Sequence, residues 1–208
     1  MISLVIDTCT NNVVIGLAKD TKVVDSRNEV NDKSLSTNFV VWVKELLDRN
    51  NITVNDIDVI FVAIGPGSFT GIRAGVTFAK VFAWALNKKV IPFSSLELLA
   101  STADNDVIVP LIDARRDYAF GGIYDNSLNA LMEDKYILIP ELLEKASKYN
   151  NPIFVSLDNF EFDTVKPDVK IEKVVQKHFN DEGINPHLLN PNYLKRTEAE
   201  ENLLVKHD

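Results

Sequence analysis

A run of closely spaced glycines, AIGPGSFTGIRAG from residue 63 to residue 75, is the first stretch that could do chemistry. It follows an apolar segment and begins a helix, where free backbone N–H groups can bind a phosphate. A Walker A loop does not fit, because Gly67 and Gly71 are one residue too close and no lysine follows. A dinucleotide fingerprint is also out of register. The alternative is a tight strand-to-helix turn, with Ser68 or Thr70 as the helix cap.

A second candidate phosphate loop, Asp7-Thr8-Cys9-Thr10, follows the first apolar segment. Actin-like ATPases and sugar kinases usually carry D-x-G-[ST]-[ST] in such a loop, where the glycine lets the backbone approach a phosphate. Cys9 stands in the place of that glycine, and its side chain would crowd the approach. The pattern therefore favours Asp7 as a structural hydrogen-bond acceptor and Cys9 as a small buried apolar residue.

Metal and hydrolase chemistry find little support in the sequence. The histidines are His178, His187 and His207, no two of which are four residues apart, and no H-E-x-x-H motif is present. A ribonuclease H-type nuclease needs several carboxylates around Asp7, but the end of the fourth apolar segment offers none. No Ser/His/Asp set stands out, although a triad scattered along the chain stays open. We therefore predict no catalytic, cofactor-binding or metal-binding residues and no cofactor.

Composition describes an ordinary globular protein. The 208 residues suffice for one large domain or two small ones, and 46% are hydrophobic. A net charge of −8 argues against tight, independent binding to nucleic acid. The single cysteine cannot form an internal disulfide, which suits a reducing, cytoplasmic location. Neither a signal peptide nor a membrane-spanning segment is expected.

The first half reads as a three-stranded meander followed by alternating helices and strands. The predicted elements are strands at 3–7, 13–19 and from 23, a helix from its cap Ser34 to about Arg49, a strand at 58–64, a helix at 70–86, a strand at 90–93 and a short helix ending near Ser101. This βββαβαβα order is typical of the α/β ribonuclease H-like arrangement, which also forms each half of actin-like ATPases.

The pattern starts again near Asp106, so we predict two lobes, residues 1–102 and a smaller lobe of residues 103–208. The second lobe resembles a shortened copy of the first. Its predicted elements are strands at 107–113, 118–124 and 153–157 and helices at 140–149 and 169–179, with Glu198–Lys206 as a candidate terminal helix. We expect the last ~18 residues to pack back on the first lobe.

Two helices of the first half carry more apolar residues than one sheet needs. In the second of them only Arg73, Thr77 and Lys80 form a polar stripe, and Gly71, Gly75, Ala79 and Ala83 form a ridge of small residues. Such a helix is either enclosed by its own domain or covered by a partner. We predict a partner interface that contains Phe39, Trp42, Val43, Leu46, Gly75, Phe78, Ala79 and Phe82.

Four motifs resemble those of the TsaB (YeaZ) family of bacteria. They are GPGSFTGIRAG, the opening strand Leu4–Thr10, Ile112-Asp113-Ala114-Arg115-Arg116 with its D-A-R, and Pro191-Asn192-Tyr193-Leu194-Lys195. The residues that match the family signature are Gly65, Pro66, Gly67, Ser68, Phe69, Thr70, Gly71, Arg73, Asp113 and Arg115. One stretch departs from the family: Lys33-Ser34-Leu35-Ser36 stands where many members have H-S-E, so no contact is carried over from it.

The resemblance implies an actin-like, two-lobed fold and a role in making N6-threonylcarbamoyladenosine (t6A) at position 37 of tRNAs that read ANN codons. In that system TsaB is the non-catalytic partner of TsaD, which carries a metal and transfers the threonylcarbamoyl group, and the ATPase TsaE joins the complex. TsaB proteins also form homodimers through the same helical face. The resemblance thus implies a TsaD-like partner, a TsaE-like ATPase, indirect contact with tRNA and no membrane.

One comparison with TsaD agrees with a non-catalytic role. TsaD proteins carry an H-x-x-x-H metal pair on the helix after the fifth strand, and the matching stretch, residues 94–99, has no histidine. Two other hypotheses stay open. One is a stand-alone ATPase, kinase or glycoprotease-like peptidase of the same fold. The other is a homodimer with a separate role, such as binding another cytosolic protein.

Overall fold

The structure is a computed structural model that describes residues 1–30 and 35–195. Its elements are β1 (Ile2–Asp7), β2 (Asn12–Lys19), β3 (Lys22–Val30), α1 (Leu35–Arg49), β4 (Val59–Ala63), α2 (Phe69–Ala85), β5 (Lys89–Phe93), α3 (Ser95–Ala100), β6 (Ile108–Asp113), β7 (Tyr118–Tyr124), β8 (Ala130–Leu138), α4 (Ile139–Ala146), β9 (Ile153–Val155) and α5 (Ile171–Lys177). The expected cap Ser34 and the candidate helix at 198–206 lie outside the described residues.

The first sheet has five strands in the order β3-β2-β1-β4-β5. β1 and β2 are antiparallel, as are β2 and β3, whereas β4 pairs parallel to β1 and to β5. β4 is buried at every position, and β1 at all but its first. Burial on both faces explains why these segments are almost continuously apolar. The predicted meander and alternation are confirmed.

The second sheet repeats this order without a fifth strand, as β8-β7-β6-β9, with β9 parallel to β6. The mixed α/β fold with a shortened second copy is therefore confirmed. One strand was missing from the prediction, β8. Met132, Asp134 and Tyr136 are half-buried while Glu133 and Lys135 between them are exposed, and this alternation of period two was the available signal.

The end of the described chain returns to the first sheet. Ile171 of α5 packs over Gly16, where a Cβ would overlap its side chain. Ile184 pairs with Val90 of the edge strand β5, and the backbone N–H of Asn192 donates to the carbonyl oxygen of Ile64 at 2.8 Å. The first sheet is thus contacted by α5 and by the extended segment that follows it, both from the far end of the described sequence. The lobe boundary between residues 102 and 103 stays a prediction.

α2 lies unusually close to the end of β1. A Cβ at Gly71 would overlap the backbone carbonyl oxygen of Thr8, and one at Gly75 would overlap the Thr8 hydroxyl. That hydroxyl donates to the carbonyl oxygen of Gly71 at 2.6 Å. The ridge of small residues, which includes the buried Ala79 and Ala83, therefore faces the protein's own sheet. The ridge therefore lets α2 approach the end of β1 in the same chain.

A buried ion-pair cluster joins α3 to α5. The Glu97 carboxylate, with 6% of its side chain exposed, accepts from His178 Nε2 at 2.8 Å and lies 3.3 Å from Lys177 Nζ. Asp181 lies 2.7 Å from the other ring nitrogen of His178. Burial lowers the pKa of His178, but the hydrogen bonds and charges of Glu97 and Asp181 outweigh it, so the pKa is raised above 6.5.

We expect Gly71→Ala to lower the free energy of unfolding by about 3 kcal/mol, because the added Cβ meets backbone that cannot move aside. Urea denaturation measures the change. Thr77→Ala, at an exposed position of the same helix, is the control and should stay within about 0.5 kcal/mol of the native protein. Equal stability of both variants would show that α2 does not need this close contact.

We expect His178→Gln to destabilise the protein in a pH-dependent manner. A raised folded-state pKa adds stability that is fully present below the unfolded pKa and is lost as pH rises through the folded pKa. The cost should be about 2 kcal/mol near pH 6 and smaller near pH 9. Denaturation at both pH values tests this. The control is His187→Gln, at an exposed residue that should change stability by less than about 0.5 kcal/mol, and an equal change in both variants would refute the assignment.

Candidate functional site

The glycine loop between β4 and α2 is closed by the protein's own polar groups. Ser68 caps α2, its hydroxyl accepting from the backbone N–H of Gly71 at 3.3 Å. The backbone N–H of Ser68 donates to the carbonyl oxygen of Cys9 at 2.7 Å, and a Cβ at Gly67 would overlap that same oxygen. Across the loop, the Ser95 hydroxyl donates to the carbonyl oxygen of Pro66. The glycine loop is therefore a turn that is hydrogen-bonded to the loop after β1.

Asp7 and Cys9 are both sealed inside the protein. Asp7 is 2% exposed, and its carboxylate accepts from the backbone N–H of Cys9 at 2.7 Å. Burial raises the pKa of Asp7 to about 6. Burial and the nearby Asp7 charge also raise the pKa of the Cys9 thiol, which contacts the carbonyl oxygen of Ala63 at 3.5 Å. Asp7 is thus a buried hydrogen-bond acceptor and Cys9 a small buried residue, as the sequence indicated.

A polar cleft of about 380 Å³ lies between the two sheets. Its walls include Thr10, Asn11, Ser68, Asp113, Arg115 and Asp158. Asp158 accepts from the backbone N–H of Asp113 at 2.8 Å and lies 3.4 Å from the Asn11 amide nitrogen. Asp113 in turn accepts from the backbone N–H of Arg115 at 2.8 Å. Among residues 1–30 and 35–195, no three His, Cys, Asp or Glu side chains converge as a metal-binding group.

The structure divides the signature residues among three places. Gly67, Ser68, Asp113 and Arg115 line the cleft, although they come from opposite halves of the chain. Gly65, Pro66, Thr70 and Gly71 belong to the turn and the first turn of α2, outside the cleft lining. Which of them act in function stays a prediction.

Phe69 and Arg73 form a separate cluster with Tyr193. The Arg73 guanidinium lies 3.9 Å from the centre of the Phe69 ring, and its Nε donates to the Tyr193 hydroxyl at 3.0 Å. The Phe69 and Tyr193 rings stack with centres 4.9 Å apart. Two motifs about 120 residues apart in sequence thus meet. No local sequence pattern predicts that Tyr193 contacts Phe69 and Arg73.

The predicted interface residues fall into two groups. Phe39, Val43, Leu46, Gly75 and Ala79 are buried under the helices against the protein's own sheet. Little of their surface is exposed in the single chain. Trp42, Phe78 and Phe82 are half-buried. Which residues contact a partner stays a prediction.

The most exposed apolar residues of α1 and α2 are not among the predicted interface residues. Val40 and Val41 on α1 are 57% and 50% exposed, and Val81 and Trp84 on α2 are 57% and 62% exposed. Phe78 joins the two helices, because its ring contacts Phe39 edge-on at 4.9 Å. We call these four residues, with Trp42, Phe78 and Phe82, the α1–α2 surface. The available signal was the all-round apolar character of α2, which requires an exposed side as well as a buried one.

Comparison with known proteins places the chain in a family. Residues 27–165 match the family profile described as TsaD, tRNA N6-adenosine threonylcarbamoyltransferase. The Bacillus subtilis protein named tRNA threonylcarbamoyladenosine biosynthesis protein TsaB is 32% identical over 158 residues, which cover 74% of this chain and 69% of that protein. The Escherichia coli protein of the same name is 27% identical, with 68% and 64% covered.

Solved structures share the fold. The structure titled YeaZ from Pseudomonas aeruginosa superposes with a TM-score of 0.73 at 21% identity and covers 93% of this chain and 99% of its own. A second Pseudomonas aeruginosa structure, titled as an uncharacterized protein with similarity to peptidase YEAZ, gives 0.76 at 20% identity with the same coverage. None of the described helices has the length and apolarity to cross a membrane. The chain therefore belongs to the TsaB (YeaZ) family of tRNA threonylcarbamoyladenosine biosynthesis proteins.

Proposed function

We propose that this chain is a non-catalytic subunit of a t6A-synthesising complex and that it pairs with a TsaD-like threonylcarbamoyltransferase. The α1–α2 surface is the observation that carries the proposal. Four large apolar side chains on two adjacent helices are at least half exposed. Removing apolar surface from water contributes about 25 cal/mol per Å², so covering these residues would favour association.

The composition of this surface suits a protein interface. Trp84 is the largest of its exposed side chains, and tryptophan is enriched among the residues that dominate binding energy. Within this surface, the half-buried Phe78 and Phe82 rings stack with centres 5.1 Å apart. Aromatic and aliphatic residues on a firmly packed helix lose little conformational freedom on binding. The same surface would also support the homodimer that we expect when the chain is alone.

The state of the carboxylates supports a non-catalytic role. Asp7 accepts a backbone N–H and is buried, so it is not free to hold a metal-bound phosphate. Glu97 lies on α3, the helix that matches the metal-binding helix of TsaD, and its charge is neutralised by Lys177 and His178. Each group that could take part in transfer chemistry at these positions already has an internal partner. Catalysis in the proposed complex therefore belongs to the TsaD-like subunit.

We infer the other partners, a TsaE-like ATPase and tRNA, from the proposed complex and not from separate sites on this chain. A TsaE-like ATPase would join the pair, and tRNA would be held mainly by the other subunits, because the net charge of −8 opposes binding to a phosphate backbone. The proposal places the complex in the cytoplasm, with no membrane contact. A reducing compartment suits the unpaired, buried Cys9.

We expect Trp84→Glu to weaken binding to the TsaD-like subunit of the same organism by about tenfold or more, because the charge would have to be desolvated in the interface. Isothermal titration calorimetry measures the affinity, and circular dichroism checks folding. Sedimentation of the variant alone should show less homodimer.

Leu131→Glu is the matched control, since Leu131 is a 42% exposed apolar residue of β8 in the second sheet. It should bind like the native chain. The interface assignment is wrong if both variants bind equally well. The subunit role itself is tested by reconstitution: TsaD, TsaE, threonylcarbamoyl-adenylate and tRNA should give less t6A without this chain. Turnover of ATP by the isolated chain would instead favour a stand-alone enzyme.

We expect Asp7→Asn to retain t6A synthesis in the reconstituted complex, because Asp7 is structural and an amide oxygen can still accept the Cys9 N–H. The raised pKa, from 3.8 to about 6, costs the ionised native protein ~3 kcal/mol. Native stability should therefore fall as pH rises from about 4 to about 7, and the variant should lack this loss. Loss of synthesis by a folded variant, or parallel pH profiles, would contradict the structural role.

A further inference from the structure

The turn between β6 and β7 has an unusual backbone. Arg115, Arg116 and Asp117 have φ angles of 67°, 54° and 60°, so three successive residues without a glycine are left-handed. In this region a Cβ crowds the following carbonyl oxygen, and only glycine, and less often asparagine or aspartate, adopts it readily. Asp117 fits that preference, whereas the two arginines do not.

The other left-handed residues of the described chain show what normally explains such a conformation. Besides the turn at 115–117, the non-glycine residues with positive φ are Asp20, Asn51, Asn87, Leu128 and Asn151. All but one are asparagine or aspartate, and the exception, Leu128, is 1% exposed in the core. Neither explanation holds for Arg115 and Arg116, which are exposed. Costly backbone conformations at exposed residues are concentrated at functional sites.

Hydrogen bonds hold the turn in this conformation. The backbone N–H of Ala114 donates to the carbonyl oxygen of Tyr118 at 2.9 Å, and that of Tyr118 donates to Arg115 at 3.1 Å. The Asp113 carboxylate accepts from the Arg115 N–H, and the carbonyl oxygen of Asp117 accepts from the N–H of Ile139 at 2.8 Å. The two arginine side chains therefore project from a fixed base.

Neither guanidinium has a hydrogen-bond or ion-pair partner within residues 1–30 and 35–195. The earlier arginines of the chain are engaged: Arg27 and Arg49 pair with carboxylates and Arg73 stacks on an aromatic ring. With 30 acidic residues against 22 basic ones, carboxylates are abundant. Arg115 and Arg116 thus stand out as adjacent cations that the described chain leaves unused. A guanidinium fork matches the geometry of a phosphate group.

Both arginines line a cavity of about 790 Å³ whose walls come only from the second half of the chain. The lining also contains an apolar part, which includes Ile139, Leu143, Phe160 and Phe162. The Phe160 and Phe162 rings stack with centres 5.3 Å apart. This cavity shares Asp113 and Arg115 with the cleft between the sheets, but no residue of the glycine loop or of β1 lines it.

We propose that this cavity binds a free nucleoside phosphate, with Arg115 and Arg116 holding the phosphate and the aromatic wall receiving the base. The cations and the apolar wall supply the two chemistries of such a ligand, and the volume is ample for one nucleotide. Asp113, Asp117 and Glu161 also line the cavity, and their carboxylates would repel a long polyanion more strongly than a single nucleotide, which favours a free nucleotide over RNA. Nucleotide binding at this site involves no turnover and no partner subunit.

The test uses the full chain, with ATP as the probe and NMR of the arginine Nε–Hε groups as the readout. ATP should shift the signals of Arg115 and Arg116. The double variant Arg115→Asn/Arg116→Asn should bind ATP at least about tenfold more weakly, because each lost charged hydrogen bond contributes strongly. Its melting temperature should not fall, because asparagine tolerates the left-handed region.

Asp117→Asn is the matched control in the same turn. It keeps both arginines and a tolerated backbone, so it should bind ATP no more weakly than the native chain. An anticodon stem-loop RNA is the second probe. The proposal is overturned if ATP does not bind, if the double variant binds like the native chain, or if only the RNA shifts the arginine signals.

Discussion

The close contact between α2 and the end of β1 determines most of what this protein can do. Gly71 and Gly75 bring the helix against Thr8, and the Thr8 hydroxyl bonds to the carbonyl oxygen of Gly71. At the same point, Ser68 donates its N–H to Cys9. Donors at a helix start would otherwise be free for an anion. Here one of them and the small-residue ridge are used internally, so only the opposite side of α2 remains for a partner.

The sequence was sufficient for the fold because each half encodes it locally. The apolar segments around Val5 and Phe61 and the amphipathic pattern of the helices specify a meander followed by alternating elements. Ser68, one of the two candidate caps that the sequence offered for α2, is the residue that caps this helix. β8 was not predicted because one of its half-buried positions is the charged residue Asp134. The Asp134 carboxylate accepts hydrogen bonds from the Ser94 and Tyr124 hydroxyls. A charged residue at an inward position hides the alternation.

The candidate site was less predictable, because its parts are assembled by tertiary contacts. A helical wheel shows that α2 has more apolar residues than packing on one sheet requires, but it does not show which side of the helix faces the sheet. That side is decided by the glycines, since only they let Thr8 approach. The exposed side, with Val81 and Trp84, follows by exclusion. The pairing of Phe69 with Tyr193 and of Glu97 with His178 joins distant segments and leaves no local pattern.

These contacts bear on the role that we propose for this actin-like fold, an interface subunit. In such a fold the loops at the ends of β1 and β6 face each other across the cleft, where a phosphate would need glycine and free N–H groups. Cys9 and the closed glycine loop remove those conditions on one side. On the other side, the turn at Arg115 and Arg116 holds two cations that have no partner among residues 1–30 and 35–195, beside a cavity of the second half alone. Under the two proposals, each half binds a different partner: a protein at the α1–α2 surface and a nucleotide at the arginine turn.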